Sequence, residues 1–181
     1  MSDPRTIMTA KEMARTLERL ASEVIERRGE DKTLVLVGIQ RRGVDLARRL
    51  KTLLDARLPA PTLFGMLDIN LYRDDWSNLG IAPTISSTDI PAGIEGATLI
   101  LVDDVLYSGR TTRAALEAIL DFGRPRRVEL LVLIDRGHRE LPIRPDYVGK
   151  NLPTAARERI SVRVSECDGV DEVVLVRAKE A

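Results

Sequence analysis

Thr98-Leu99-Ile100-Leu101-Val102-Asp103-Asp104-Val105-Leu106-Tyr107-Ser108-Gly109-Arg110-Thr111 decides the fold of this chain. From Thr98 to Val102 the composition is that of a strand buried on both faces, and Asp103 and Asp104 are expected to stop it at its carboxyl end. The chain then turns through Ser108-Gly109 and enters a helix from Thr111 to Leu120, where Leu116, Ile119 and Leu120 share one face. The order is strand, acidic pair, small polar loop, helix. In an open α/β sheet, ligands bind outside the carboxyl ends of the strands, and a helix amino terminus offers unpaired N–H groups to an anion. Ser108, Gly109 and Thr111 let amides and hydroxyls converge on a phosphate, with Val105, Leu106, Tyr107 and Arg110 completing the loop. Asp103 and Asp104 lie just outside, where they repel a phosphate but accept hydrogen bonds from sugar hydroxyls. The stretch reads as a ribose-phosphate site. A receiver-type phosphoacceptor module also carries aspartates at a strand end, but it needs no Ser-Gly-Arg-Thr loop.

Outward from this centre, strands alternate with helices. Thr33 to Ile39 reads as a buried strand and Val44 to Arg57 as a helix, with Gln40-Arg41-Arg42-Gly43 between them. Two arginines beside a glycine at a strand's carboxyl end suit close backbone approach to a pyrophosphate. Leu63 to Ile69 and Val128 to Ile134 are further strands, and Ala10 to Arg28 is an amphipathic helix capped by Thr9 and stopped by Gly29. Ile160 to Val164 and Glu172 to Val176 are closing strands around an Asp168-Gly169 turn. This alternation predicts a doubly wound, mainly parallel α/β sheet in one domain, 1–181. Asp135 to Lys150 is irregular and contains prolines, so a small hood over the sheet's carboxyl edge is expected at about 135–160. The polar stretch from Tyr72 to about Ile90 is too long for a simple connector and reads as a lid.

With 44% hydrophobic and 31% charged residues, the composition is that of an ordinary globular protein. No apolar run approaches a membrane span, and Met1 to Arg5 lacks the apolar core of a signal peptide, so a cytoplasmic protein is expected. One cysteine and one histidine leave no internal disulfide and no Cys/His zinc site. The 28 basic and 28 acidic residues balance, which argues against indiscriminate nucleic-acid binding. Between Arg124 and Arg163, however, ten Arg and Lys face five Asp and Glu, so a local basic face exists in the sequence.

The central stretch resembles the phosphoribosyl-pyrophosphate signature of type I phosphoribosyltransferases. With Leu71-Tyr72-Arg73-Asp74-Asp75 and Asp135-Arg136-Gly137-His138-Arg139-Glu140-Leu141-Pro142-Ile143-Arg144, the chain resembles the bifunctional pyrimidine operon attenuator / uracil phosphoribosyltransferase family, from about Ala10 to Val176. The resemblance implies phosphoribosyl pyrophosphate and uracil as substrates, UMP as product and Mg²⁺ brought by the substrate, with no metal held by protein side chains alone. It makes Arg41, Arg42 and Gly43 the pyrophosphate loop, often with a non-proline cis peptide. Asp103, Asp104, Arg41, Tyr72 and Arg73 become the catalytic candidates, Tyr72 and Arg73 through a lid that closes over the pyrophosphate. Asp135 and Arg136, with backbone groups near Val148 and Ile160, are the expected base contacts. Arg139, Arg144 and Lys150 resemble the family's surface for a leader mRNA hairpin, and a homodimer or higher homo-oligomer is implied. Glu18 and Ser22 depart from the family's first helix, where Thr and His are expected. An acidic side chain there weakens RNA binding.

Overall fold

The computed structural model describes residues 4–72, 87–155 and 157–177. In chain order the elements are β1 (Arg5–Thr9), α1 (Ala10–Arg28), β2 (Leu34–Ile39), α2 (Arg42–Asp55), β3 (Leu63–Leu67), β4 (Thr98–Leu106), α3 (Arg110–Leu120), β5 (Arg127–Asp135), β6 (Tyr147–Asn151), β7 (Glu158–Arg163), α4 (Ser165–Asp168) and β8 (Glu172–Arg177). Short 3-10 turns lie at Asn70–Tyr72 and Ala92–Ile94.

Five strands make one wholly parallel sheet in the order β3-β2-β4-β5-β6. Successive side chains on a strand face opposite ways, and the apolar runs use both faces. Leu34, Leu36, Ile100, Val102 and Leu131 pack with Met13, Leu17 and Leu20 of α1 and Leu46 and Leu50 of α2. Val35, Val37, Leu99, Leu101 and Val132 pack instead against Ala114, Ala115, Ala118 and Ile119 of α3. The first helix has the expected ends: the Thr9 hydroxyl accepts from the Glu12 amide while the Glu12 carboxylate accepts from the Thr9 amide, and Gly29 follows the last turn.

Several boundaries differ from the expectation. Asp103 and Asp104 do not end β4, which runs to Leu106 because its backbone stays paired with β5 from Thr98↔Arg127 to Leu106↔Asp135. Pairing with β2 stops at Gly38↔Val102, so the two aspartates sit on the stretch of β4 that has lost one neighbour. Helices α2 and α3 begin at Arg42 and Arg110, earlier than the side-chain pattern shows. The Asp168-Gly169 turn is the end of the short α4, with Gly169 in the left-handed region at φ 72°.

The hood boundaries also change. Residues 136–146 are irregular, but Tyr147–Asn151 is the fifth strand of the main sheet, because the outer edge of buried β5 needs backbone partners. A separate antiparallel sheet, β1-β8-β7, joins the two ends of the chain. It is fastened to α2 through the α4 turn: Arg42 donates to both Asp168 oxygens at 2.8 and 3.0 Å, Arg49 pairs with Glu166 and Asp171, and the Cys167 thiol meets Asp45 Oδ2 at 3.1 Å.

Candidate active site

Where β4 outruns β2, two carboxylates follow one another in the strand. Asp103 is 6% exposed and Asp104 is half-buried, and each is held from the main chain. The Asp104 amide donates to Asp103 Oδ1 and the Val105 amide to Asp104 Oδ1, both at 2.9 Å. Burial pushes Asp103 well above the ordinary carboxylate range, with the charge of Asp104 adding to it. Asp104 is also raised by burial, but hydrogen bonds and the nearby Arg42 guanidinium pull against the shift. Two carboxylates crowded at a cleft are suited to hydroxyl donors or a cation, which favour their charged forms.

The phosphate loop follows at once. Gly109, in the left-handed region at φ 93°, caps α3, so the chain reverses and the first helical amides point out at the strand end. A Cβ at Gly109 would stand 3.3 Å from Ile143 Cδ1, because the 137–143 segment packs on the loop. Ser108 carbonyl accepts from the amides of Glu140 and Leu141 at 3.0 and 3.2 Å, and Arg110 Nε reaches Glu140 at 2.8 Å. Thr112, one residue beyond the expected loop, has a buried hydroxyl with no partner among the described residues.

Across the cleft, the loop between β2 and α2 passes very close to β4. A Cβ on Gly43 would lie 2.4 Å from the Val102 carbonyl oxygen, and one on Gly38 would lie 2.4 Å from Val44 Cα. The Gln40–Arg41 peptide is cis, as the resemblance implies. Arg41 is exposed, and its guanidinium has no partner among the described residues, which leaves it free for an anion. Arg42 is not, since Asp168 holds it from both oxygens.

A phosphoribosyl transferase domain model matches residues 5–165. Relatives named bifunctional protein PyrR align over most of both chains. The protein from Chloroflexus aurantiacus is 54% identical over 181 residues, covering 98% of this chain and 97% of its own. That from Pelotomaculum thermopropionicum is 54% identical over 166 residues, 92% of each. The chain belongs to the bifunctional PyrR family. Among solved structures, a hypoxanthine-guanine phosphoribosyltransferase from Bacillus anthracis superposes with TM-score 0.72 at 15% identity, covering 98% of this chain and 100% of that one. Hypoxanthine phosphoribosyltransferase from Trypanosoma cruzi gives 0.74 at 18% identity, covering 95% and 94%. At such identities the likeness establishes the shared fold alone.

The remaining candidates of this PyrR-family chain fall in different places. Tyr72 is not at the loop: its hydroxyl donates to Asp121 Oδ2 at 2.6 Å, at the opposite end of α3. Arg73 lies outside the described residues. Arg136 is buried, stacked 4.1 Å from the Tyr107 ring centroid, and donates to Thr154 Oγ1 and the Ala155 carbonyl. It therefore shapes the cleft wall together with residues 154 and 155, which carry no motif or pattern that would single them out. Asp135 is occupied by the Gly137 amide and Arg139. Val148 is on β6 and Ile160 on β7, in different sheets, and they pack against different core clusters.

The basic candidates also separate. Arg139 is turned inward, donating to Asp135, the Tyr107 carbonyl at 2.9 Å and the Ile143 carbonyl at 3.1 Å, so it braces the phosphate loop. Lys150 donates to the Ile7 carbonyl at 3.0 Å. Arg144 is exposed and without a partner among the described residues. On α1, Ser22 accepts from Arg57 at 2.9 Å, while Arg19 donates to the Val148 and Gly149 carbonyls of β6 and Arg27 to the Asp146 carbonyl just before it. Among the described residues no helix is long and apolar enough to cross a membrane.

Proposed function

We propose that the chain transfers ribose 5-phosphate from phosphoribosyl pyrophosphate to uracil, giving UMP and pyrophosphate, and binds leader RNA under control of uridine nucleotide. The observation that carries the catalytic reading is the continuous run of buried carboxylate pair and phosphate loop on β4 and α3. Breaking the bond from C1′ to pyrophosphate leaves a cationic sugar and an anionic leaving group. Asp103 and Asp104 accept from the ribose 2′- and 3′-hydroxyls and place negative charge beside the developing cation. The amides at the start of α3 hold the 5′-phosphate, with Ser108 and Thr111. Arg41 faces the pyrophosphate from the opposite loop, and Arg42 orients that loop through Asp168. Arg136, held by the Thr154 hydroxyl and the Ala155 carbonyl, forms the wall against which uracil sits.

No group of three acidic, histidine or cysteine side chains converges among the described residues, and the two aspartates are hard oxygen donors that suit Mg²⁺. Mg²⁺ brought by the substrate would sit beside Asp103 and Asp104 and would supply positive charge for the leaving pyrophosphate. The bifunctional name of the relatives supports the second activity, as does the exposed Arg144, whose guanidinium has no partner among the described residues. The catalytic test is Asp104→Asn, for which UMP formation falls at least tenfold, about 1.4 kcal/mol of transition-state stabilisation, with an unchanged circular dichroism spectrum. Wild-type turnover in that variant contradicts the role given to the pair.

A further inference from the structure

The turn after β5 holds the chain's one histidine in an uncommon backbone conformation. Among the described residues His138 is the one non-glycine in the left-handed region, at φ 61°, directly after Gly137 at φ 78°. Such a backbone suits glycine or asparagine better than most side chains. Hydrogen bonds on both sides keep the turn there: the Gly137 amide donates to Asp135 Oδ1 at 3.0 Å, and Arg139 donates to the Gly137 carbonyl at 3.2 Å. His138 is exposed, so the conformation does not serve to bury its ring. What it does is aim the imidazole.

The ring is turned back onto the base wall. His138 Nε2 meets the Thr154 carbonyl, so this nitrogen carries the proton and donates. The Thr154 hydroxyl in turn accepts from Arg136 Nε at 3.0 Å, and Arg136 Nη2 reaches the Ala155 carbonyl at 3.4 Å. The Arg136 guanidinium lies 4.1 Å from the centroid of the Tyr107 ring, and that ring meets His138 edge-on, with 6.1 Å between centroids and 62° between planes. His138, Thr154, Arg136 and Tyr107 thus close a circuit of contacts, in which Arg136 and His138 tie residues 154 and 155 across to the turn after β5. We infer that His138 is a positioning residue for the base: by donating to the Thr154 carbonyl it fixes the residue that holds Arg136, and with it the guanidinium–Tyr107 stack of the uracil wall. It acts through Arg136 and not on the substrate. A loosened wall lowers the fit of a small planar base, while phosphoribosyl pyrophosphate is still held from the start of α3 and from the β2–α2 loop. This rests on the uracil reading proposed above and adds to it the residue that sets the wall.

Substitutions at this position separate the hydrogen bond from the backbone. Asparagine and glycine suit the left-handed region but place no donor where Nε2 stands, whereas glutamine keeps a donor at the reach of the imidazole on a backbone no easier than that of histidine. In the full chain, His138→Asn and His138→Gly should raise the KM for uracil about tenfold and the dissociation constant of UMP with it. Their kcat and KM for phosphoribosyl pyrophosphate should stay within about twofold, and the melting temperature at or above wild type. His138→Gln should keep the uracil KM within about threefold of wild type. An unchanged uracil KM in the asparagine and glycine variants overturns the positioning role. So does a glutamine variant as impaired as they are, or a fall in kcat and in both affinities together with a lower melting temperature. If the wild-type chain converts hypoxanthine and not uracil, the uracil reading fails; the same pattern of variants in the KM for hypoxanthine then upholds His138, and a flat pattern overturns it. A wild-type chain that uses neither base overturns both.

Discussion

Asp103 carries the conflict between stability and function most directly. Its folded-state carboxyl lies above the unfolded value because burial and Asp104 both oppose ionisation. A raised carboxyl binds its proton more tightly when folded, so its contribution is favourable below the unfolded range near pH 4 and is lost as pH rises through the folded value. At neutral pH the pair therefore costs stability. Asp103→Asn, which keeps an oxygen for the Asp104 amide, should raise stability by on the order of 1 kcal/mol at pH 7 while lowering UMP formation. Thermal melts from pH 4 to 8 check this: the gain should grow with pH. The chemistry of this residue was legible from the Asp-Asp pair and the loop that follows. The pairings of Arg42 and Tyr72 were not, because each finds its partner far along the chain: Asp168 stands 126 positions from Arg42.

At the scale of elements, the site depends on how closely α2 starts beside β4. Gly43→Ala places a Cβ 2.4 Å from the Val102 carbonyl, so the start of the helix must move. The loss should be about 1–3 kcal/mol despite the better helix propensity of alanine, and activity should fall with it as Arg41 shifts. Chemical denaturation and initial rates measure the two effects. Strands β2, β4 and β5 were readable because they are apolar runs between turn signals. The end of β4 differs from the expected stop at Asp103 because a strand ends where its backbone loses partners, and β5 runs alongside it to Leu106. Strand β6 was hidden for the complementary reason: Tyr147-Val148-Gly149-Lys150-Asn151 has little strand pattern, and its pairing is imposed by the open edge of β5.

Across the whole molecule, α1 is tied to β5 and β6, on the face of the sheet that it covers, through a buried charge. Glu129 is 5% exposed, accepts from the Arg28 guanidinium and takes the Tyr147 hydroxyl at 2.8 Å. Burial alone would raise its carboxyl, but Arg28 and Tyr147 outweigh this and hold it below the ordinary range. Its stabilising effect is therefore present above the unfolded value and is lost as pH falls through the lower folded one. Glu129→Gln leaves Arg28 without its counter-charge and should cost about 3 kcal/mol, read by denaturation at pH 7. The difference from wild type should shrink in acid. This cluster, the α4 fastening and the β6 edge together support the cleft between β2 and β4, where the central claim is located. That claim is tested most directly by incubating the full chain with phosphoribosyl pyrophosphate, Mg²⁺ and either uracil or hypoxanthine, and quantifying the nucleotide formed. UMP from uracil, little IMP from hypoxanthine, and loss of UMP in Asp104→Asn are predicted. Equal use of hypoxanthine, or no nucleotide from either base, contradicts the account.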